Sequence, residues 1–169
     1  MLIIAAIAII LLVGIDQAIK IWAVAELKPV GEMEFLQIGS LDIMHLTYLE
    51  KTGSAFGSLA GHRWLLLTVT IIGAAACIYI LIRHARQKPF LFWSLVLVIG
   101  GALGNMYDRI FRGGAVVDYL DVQLFDFAIF NFADCCVCIG TAMLFIYILF
   151  FMDKEKKPAA EQEGTDAQA

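Results

Sequence analysis

Charge is scarce in this sequence and shows no basic bias. Asp, Glu, Lys and Arg make up 17% of its 169 residues, and 12 Lys and Arg against 16 Asp and Glu leave a formal net charge of −4. A nucleic-acid surface is therefore excluded. Only four cysteines are present: Cys77 in an apolar run, and Cys135, Cys136 and Cys138 together near the start of another. Cys135 and Cys138 form a lone C-x-x-C without a second pair, which argues against structural zinc and redox chemistry and for small packing residues. His45 and His62 have no carboxylate or cysteine at metal-ligand spacing, no serine is flanked by a base, and no cysteine has a histidine partner. No cofactor is called for. No internal repeat is visible either.

Apolar residues are what remains. They form 61% of the chain, and the mean hydropathy is +0.82, far above the range of a water-soluble domain. Four runs, at about 2–25, 64–82, 90–107 and 133–152, are long enough to cross roughly 30 Å of hydrocarbon as helices at about 1.5 Å per residue. The first run lacks a basic n-region, carries Asp16 and Lys20 and has no small-residue cleavage site, so it reads as a span and not as a cleaved signal peptide. Arg83, Arg86 and Lys88 lie between the second and third runs, and Lys154, Lys156 and Lys157 follow the fourth. Basic residues in short loops stay on the cytoplasmic side. Both termini are therefore expected in the cytoplasm, with outer loops at about 26–63 and 108–132; Arg63, Arg109 and Arg112 weaken this bias without reversing it. Residues 1–152 are expected to form one four-helix domain, and the Lys-, Glu-, Ala- and Gln-rich stretch 153–169 a disordered cytoplasmic tail.

The first outer loop is too long for a tight turn. Leu36, Ile38, Leu41, Ile43, Leu46 and Tyr48 around Gly39-Ser40 predict a short β-hairpin at the membrane surface. The predicted fold class is thus an all-α integral membrane protein of four transmembrane helices, with a small extracytoplasmic β-hairpin or cradle in the first outer loop.

Against this background the ionisable residues stand out, because charges near lipid are costly and mark function by default. Asp16 and Lys20 are four residues apart, on one helix face, and can pair. Pro89 suits the first turn of the third helix. Gly100 and Gly104 offer a small-xxx-small face for close helix packing, and Asn105 and Arg109 continue the line of Gly101 at four-residue steps. Asn131 is positioned to cap the fourth helix, placing Asp134 in its first turn. Taken singly, each has a plain reading: a self-neutralising pair, a solvated loop acid at Asp118, a capping carboxylate at Asp134. Taken together, the groups at the outer rim are carboxylates. Two aspartates held close share one proton, so that one can take a proton from water while the other donates to a scissile carbonyl. Nearness to a helix N-terminus favours ionised Asp134, which makes it the expected base and Asp118 the expected acid.

Five stretches carry a resemblance: Asp16-Gln17-x-x-Lys20, Thr52-Gly53-Ser54-Ala55-Phe56, Gly100-Gly101-Ala102-Leu103-Gly104-Asn105-x-x-Asp108-Arg109, Val116-Val117-Asp118-Tyr119 and Phe130-Asn131-x-Ala133-Asp134. In this order across four spans they closely resemble bacterial lipoprotein signal peptidase, or signal peptidase II. The resemblance implies an aspartic endopeptidase of the bacterial cytoplasmic membrane, which cuts signal peptides from prolipoproteins just before a diacylglyceryl-modified cysteine. It implies Asp118 and Asp134 as the dyad, and Asp16, Lys20, Asn105, Arg109 and Asn131 as residues that place the substrate backbone and hold the acids. It also implies a role for the Lys51–Gly53 loop, bound membrane lipid, and inhibition by globomycin-like cyclic peptides. Lys51 departs from the family pattern, which usually has Asn before Thr-Gly; a lysine donates hydrogen bonds but accepts none. A small proton- or cation-coupled transporter, with Asp16, Lys20, Arg109 and Asp134 as a relay, is the alternative. It does not explain why these groups gather at one rim and not near the midplane, where transporter sites lie. A tetraspan scaffold is the second, and predicts that both aspartates are dispensable.

Overall fold

The computed structural model describes residues 1–52, 63–85 and 87–151. Four helices are long and apolar enough to cross a membrane. The first is an α-helix over Leu2–Trp22 (α1), prolonged by a π-helical turn over Ala23–Leu27 and a last turn over Lys28–Val30. The others are α2, Arg63–His84; α3, Pro89–Phe111; and α4, Phe132–Phe150. Each contains its predicted run to within a few residues. The π turn in the first helix precedes Pro29, which has no N–H to give and whose ring crowds the carbonyl four residues earlier, so the regular pattern cannot continue through it. Gly31, at φ 87°, ends the helix and turns the chain into a sheet.

The helices are apolar on their outer faces. Ile3, Ile10, Trp64, Ile72, Phe145 and Phe150 are all exposed, an arrangement that suits lipid and would be untenable in water. The central element is α3, which touches α1, α2 and α4 and is the most buried of the four. Glycine permits its close approaches: a Cβ at Gly100 would strike Leu12 of α1, one at Gly101 the Ala133 carbonyl of α4, and one at Gly104 the Asp16 carboxylate. Gly140 of α4 lies in the same way against the Ser94 carbonyl of α3. Away from the sheet, Ala5, Leu81, Phe92, Leu95, Ile99 and Tyr147 close the packing.

The sheet has three antiparallel strands in the order β1-β2-β3: Glu32–Ile38 (β1), Leu41–Lys51 (β2) and Val116–Val122 (β3). The hairpin predicted around Gly39 and Ser40 is present as β1 and β2. The third strand comes from the stretch expected as the second outer loop, in which Asp118 taken singly reads as a solvated acid. In β3 the acids have partners or cover: Asp121 accepts from Thr47 at 2.9 Å, and Asp118 is only 2% exposed. Leu46, Val117 and Tyr119 pack the sheet onto Ala23 and Leu27 of the π turn. Gly53 and the rest of the Gly53–Phe56 motif lie outside the described residues, as do His62 and the 153–169 tail.

Candidate active site

The polar groups picked out by sequence meet where the C-terminal ends of α1 and α3, the strand β3 and the first turn of α4 converge. The start of α4 explains much of this. A helix begins with unpaired N–H groups, and here three of them are met by side chains, two from other elements and one from the helix's own cap. Phe132 N donates to the Tyr119 hydroxyl at 3.1 Å, Ala133 N to Asp16 Oδ1 at 3.2 Å, and Asp134 N to Asn131 Oδ1 at 3.0 Å. Asp134 returns the last contact, its Oδ2 accepting the Asn131 backbone N–H at 3.2 Å. This is a complete capping box, built with Asn131 as predicted.

Asn131 is fully buried and also reaches the other candidate acid. Its Nδ2 donates to Asp118 Oδ1 at 2.6 Å, and lies 3.1 Å from Asn105 Oδ1 and 3.3 Å from the Val117 carbonyl. Asn105 Nδ2 donates to Asp134 Oδ1 at 2.7 Å. One asparagine thus touches both acids, and a second braces Asp134 from α3. The line of Gly101 and Asn105 does face α4, as four-residue spacing requires, since α3 stays helical to Phe111.

Behind these lies a buried charge network. The Lys20 ammonium has three N–H groups and three partners: Asp16 Oδ2 at 2.9 Å, Asp108 Oδ2 at 2.8 Å and Asn105 Oδ1 at 3.0 Å. Arg112 Nε meets Asp108 Oδ1 at 3.1 Å, so two carboxylates are balanced by two cations. Gln17 Nε2 donates to both acids, at 3.0 Å to Asp16 and 3.1 Å to Asp108. Asp108 Oδ2 also accepts Val117 N at 3.3 Å, tying the network to β3 next to Asp118. Sequence reasoning found the Asp16–Lys20 pair but assigned no site role to Asp108 or Gln17. The available signal was Asp108 lying four residues before Arg112 and four after Gly104, on the face that meets α1.

Asp118 and Asp134 line one cavity of about 460 Å³, with Lys51, Asn105 and Arg109 as its other polar walls and Phe127, Phe130, Val137 and Ile139 among its apolar ones. Cys135 and Cys138, both free thiols, also face it. Burial pushes the Asp118 carboxyl above the ordinary aspartate range, while the Lys51 ammonium draws it back. Lys51 Nζ is 2.6 Å from Asp118 Oδ2 and 2.6 Å from the Ile129 carbonyl. Arg109 Nη1 reaches the Asn105 carbonyl at 3.4 Å, while its buried Nε has no hydrogen-bond partner among the described residues. Also among the described residues, no group of three or more His, Cys, Asp or Glu could hold a metal ion.

A profile of the signal peptidase II family matches residues 8–150, nearly the whole of the described chain. The chain belongs to the signal peptidase II family. Among curated relatives, it is 39% identical over 150 residues to a lipoprotein signal peptidase of Clostridioides difficile, covering 88% of this chain and 96% of that one. It is 45% identical over 116 residues to a lipoprotein signal peptidase of Desulfitobacterium hafniense, covering 69% and 76%. Two solved bacterial membrane enzyme structures superpose on it with TM-scores of 0.75 and 0.73, each at 31% identity; the first alignment covers 86% of this chain and 87% of the other, the second 88% and 94%. Membership in the signal peptidase II family makes this chain a bacterial membrane peptidase, and its four apolar helices and small sheet accord with that.

Proposed function

We propose that this chain removes the signal peptide from diacylglyceryl-modified prolipoproteins, cutting before the lipidated cysteine, by water activation on Asp118 and Asp134. The observation that carries the reading is the placing of both carboxyls on one cavity, joined through Asn131, whose side-chain amide donates to Asp118 and whose backbone N–H donates to the Asp134 carboxylate. In such a site one carboxylate takes a proton from water as the water oxygen attacks the scissile carbonyl carbon. The other carboxyl gives its proton to the carbonyl oxygen. The tetrahedral adduct then collapses, the C–N bond breaks, and the departing nitrogen takes a proton from the first acid. Asp16, Lys20, Asn105, Arg109 and Asn131 hold the acids and the substrate backbone in register, and Gly53 contributes to substrate binding.

The 1–152 segment is a single domain in the cytoplasmic membrane, with both termini and the 153–169 tail in the cytoplasm and the dyad near the outer face. A substrate held by its acyl chains then enters sideways from the bilayer, and the apolar cavity wall of Phe127, Val137 and Ile139 suits such a guest. The sheet lies on the membrane beside the site as a cradle. Globomycin-like cyclic peptides compete for the same cavity.

The test is a gel-shift assay with the full chain in detergent and a diacylglyceryl-modified prolipoprotein, run beside Asp118→Asn and Asp134→Asn. Cleavage by the wild type and by neither folded variant supports the dyad. Full activity in either variant overturns it, and no cleavage by the folded wild type favours the scaffold or transporter.

A further inference from the structure

Lys51 ends β2 opposite Val116 of β3. Cross-strand neighbours share a sheet face with the residue two further along, so the lysine side chain lies beside Asp118. Its ammonium is in contact with Asp118 Oδ2 and is fixed from the other side by the Ile129 carbonyl, each at 2.6 Å, and the side chain is 16% exposed. The two acids are therefore held differently. Asp118 has a full positive charge on one oxygen and the Asn131 amide on the other. Among the described residues Asp134 accepts from neutral donors, the Asn105 amide and the Asn131 backbone N–H. Arg109 of α3 lines the same cavity and its charge acts on both acids, on Asp134 before Asp118, but it makes no hydrogen bond to either among the described residues.

A charge-assisted hydrogen bond is about twice as strong as a neutral one, and an ammonium in contact outweighs the partial charge of a helix N-terminus. We propose that Lys51 is a positioning residue of the dyad: its ammonium, held against Asp118 Oδ2 by the Ile129 carbonyl, sets the acidic limb of the reaction. This rests on the dyad reading above.

Among the described residues, the groups that face Asp118 are Lys51 from β2, Asp134 and its capping partner Asn131 at the start of α4, and Arg109 from α3. Of these, Lys51 is the cation in direct contact, so removing its charge moves the whole titration. The test is the pH profile of kcat/KM for the full chain on a diacylglyceryl-modified prolipoprotein, in wild type, Lys51→Gln and Lys51→Arg. Gln keeps a donor for the Ile129 carbonyl without the charge. Its acidic limb is expected about one pH unit or more above that of wild type, whereas Arg restores the limb. Lys51→Met, measured in the same way, serves if the Gln protein does not fold. An unmoved limb in the neutral variants overturns the proposal, as does an equal shift in Lys51→Arg. A wild type inactive at every pH, or an active Asp134→Asn, instead overturns the dyad reading beneath it.

Discussion

Asn105 on α3 donates its side-chain amide to Asp134 Oδ1 on α4 across 2.7 Å, while its oxygen accepts from Lys20 on α1 at 3.0 Å. Three spans are joined by one side chain. Asn105→Ala removes the donor to Asp134 and leaves one of the Lys20 protons without its acceptor. A hydrogen bond to a charged group contributes about 1.5–3 kcal/mol, so kcat/KM is expected to fall roughly 10–100-fold. Steady-state kinetics on the prolipoprotein check this, with circular dichroism to show that the variant is folded.

Asn131 caps a helix and contacts Asp118, and two substitutions separate the roles. Serine is a good N-cap but too short to bridge to Asp118. Asn131→Ser is expected to unfold within about 0.5 kcal/mol of wild type yet lose about tenfold or more in kcat. Asn131→Ala is expected to lose about 1 kcal/mol of stability as well. Denaturant unfolding beside single-turnover kinetics distinguishes the pair; an Asn131→Ser protein as active as wild type would show that the cap alone matters.

Lys20 is wholly buried between Asp16 and Asp108. Removing one partner of such a network leaves charge uncompensated, which costs about 3–5 kcal/mol. Lys20→Met is expected to lower the unfolding midpoint in detergent far more than Lys28→Met, whose pair with Glu50 is half exposed. A comparison of the two thermal scans is sufficient.

The pH dependence has a definite sign. Burial raises the Asp118 carboxyl above the ordinary aspartate range. Cleavage needs an ionised acid, so the rate falls as pH falls through that raised value, and the acidic limb lies above where a free aspartate would place it. Stability runs the other way for this group. A raised carboxyl contributes fully below its unfolded value, and the contribution is lost as pH rises through the folded one. Initial rates and unfolding midpoints over the acid range check both directions.

Gly101 lies so close to the Ala133 carbonyl that even a methyl group has no room. Gly101→Ala is expected to push α4 away from α3, carrying Asp134 with it, at about 1–3 kcal/mol and with a large loss of kcat. Gly73→Ala, where a Cβ meets nothing within 4 Å, is the control and is expected to be silent in both measurements.

How far these features are legible in sequence depends on their range. The four spans follow from hydropathy alone, and the Asn131–Asp134 cap from a spacing of three residues. Gly39-Ser40 marks the hairpin because a turn is written locally. Strand β3 is not legible in that way, since its acids look solvated until Lys51, Thr47 and Asn131 come to them from elsewhere in the chain. Asp108 is hidden for a similar reason. Its neighbours in sequence suggest a helix end, and only the approach of α1 supplies Lys20 and Gln17. The position of Lys51 against Asp118 depends on strand register, which composition does not carry.

The start of α4 draws its partners from α1, α3 and β3 together: Asp16, Asn105 and Tyr119 each hold part of one helical turn. On the proposed roles, hydrolytic power does not exist in any fragment of the bundle. A copy that has entered the bilayer but not yet gathered its helices has a bare helix end and scattered acids. Such a copy is harmless to the peptides around it, so the chain is its own safety catch during biogenesis.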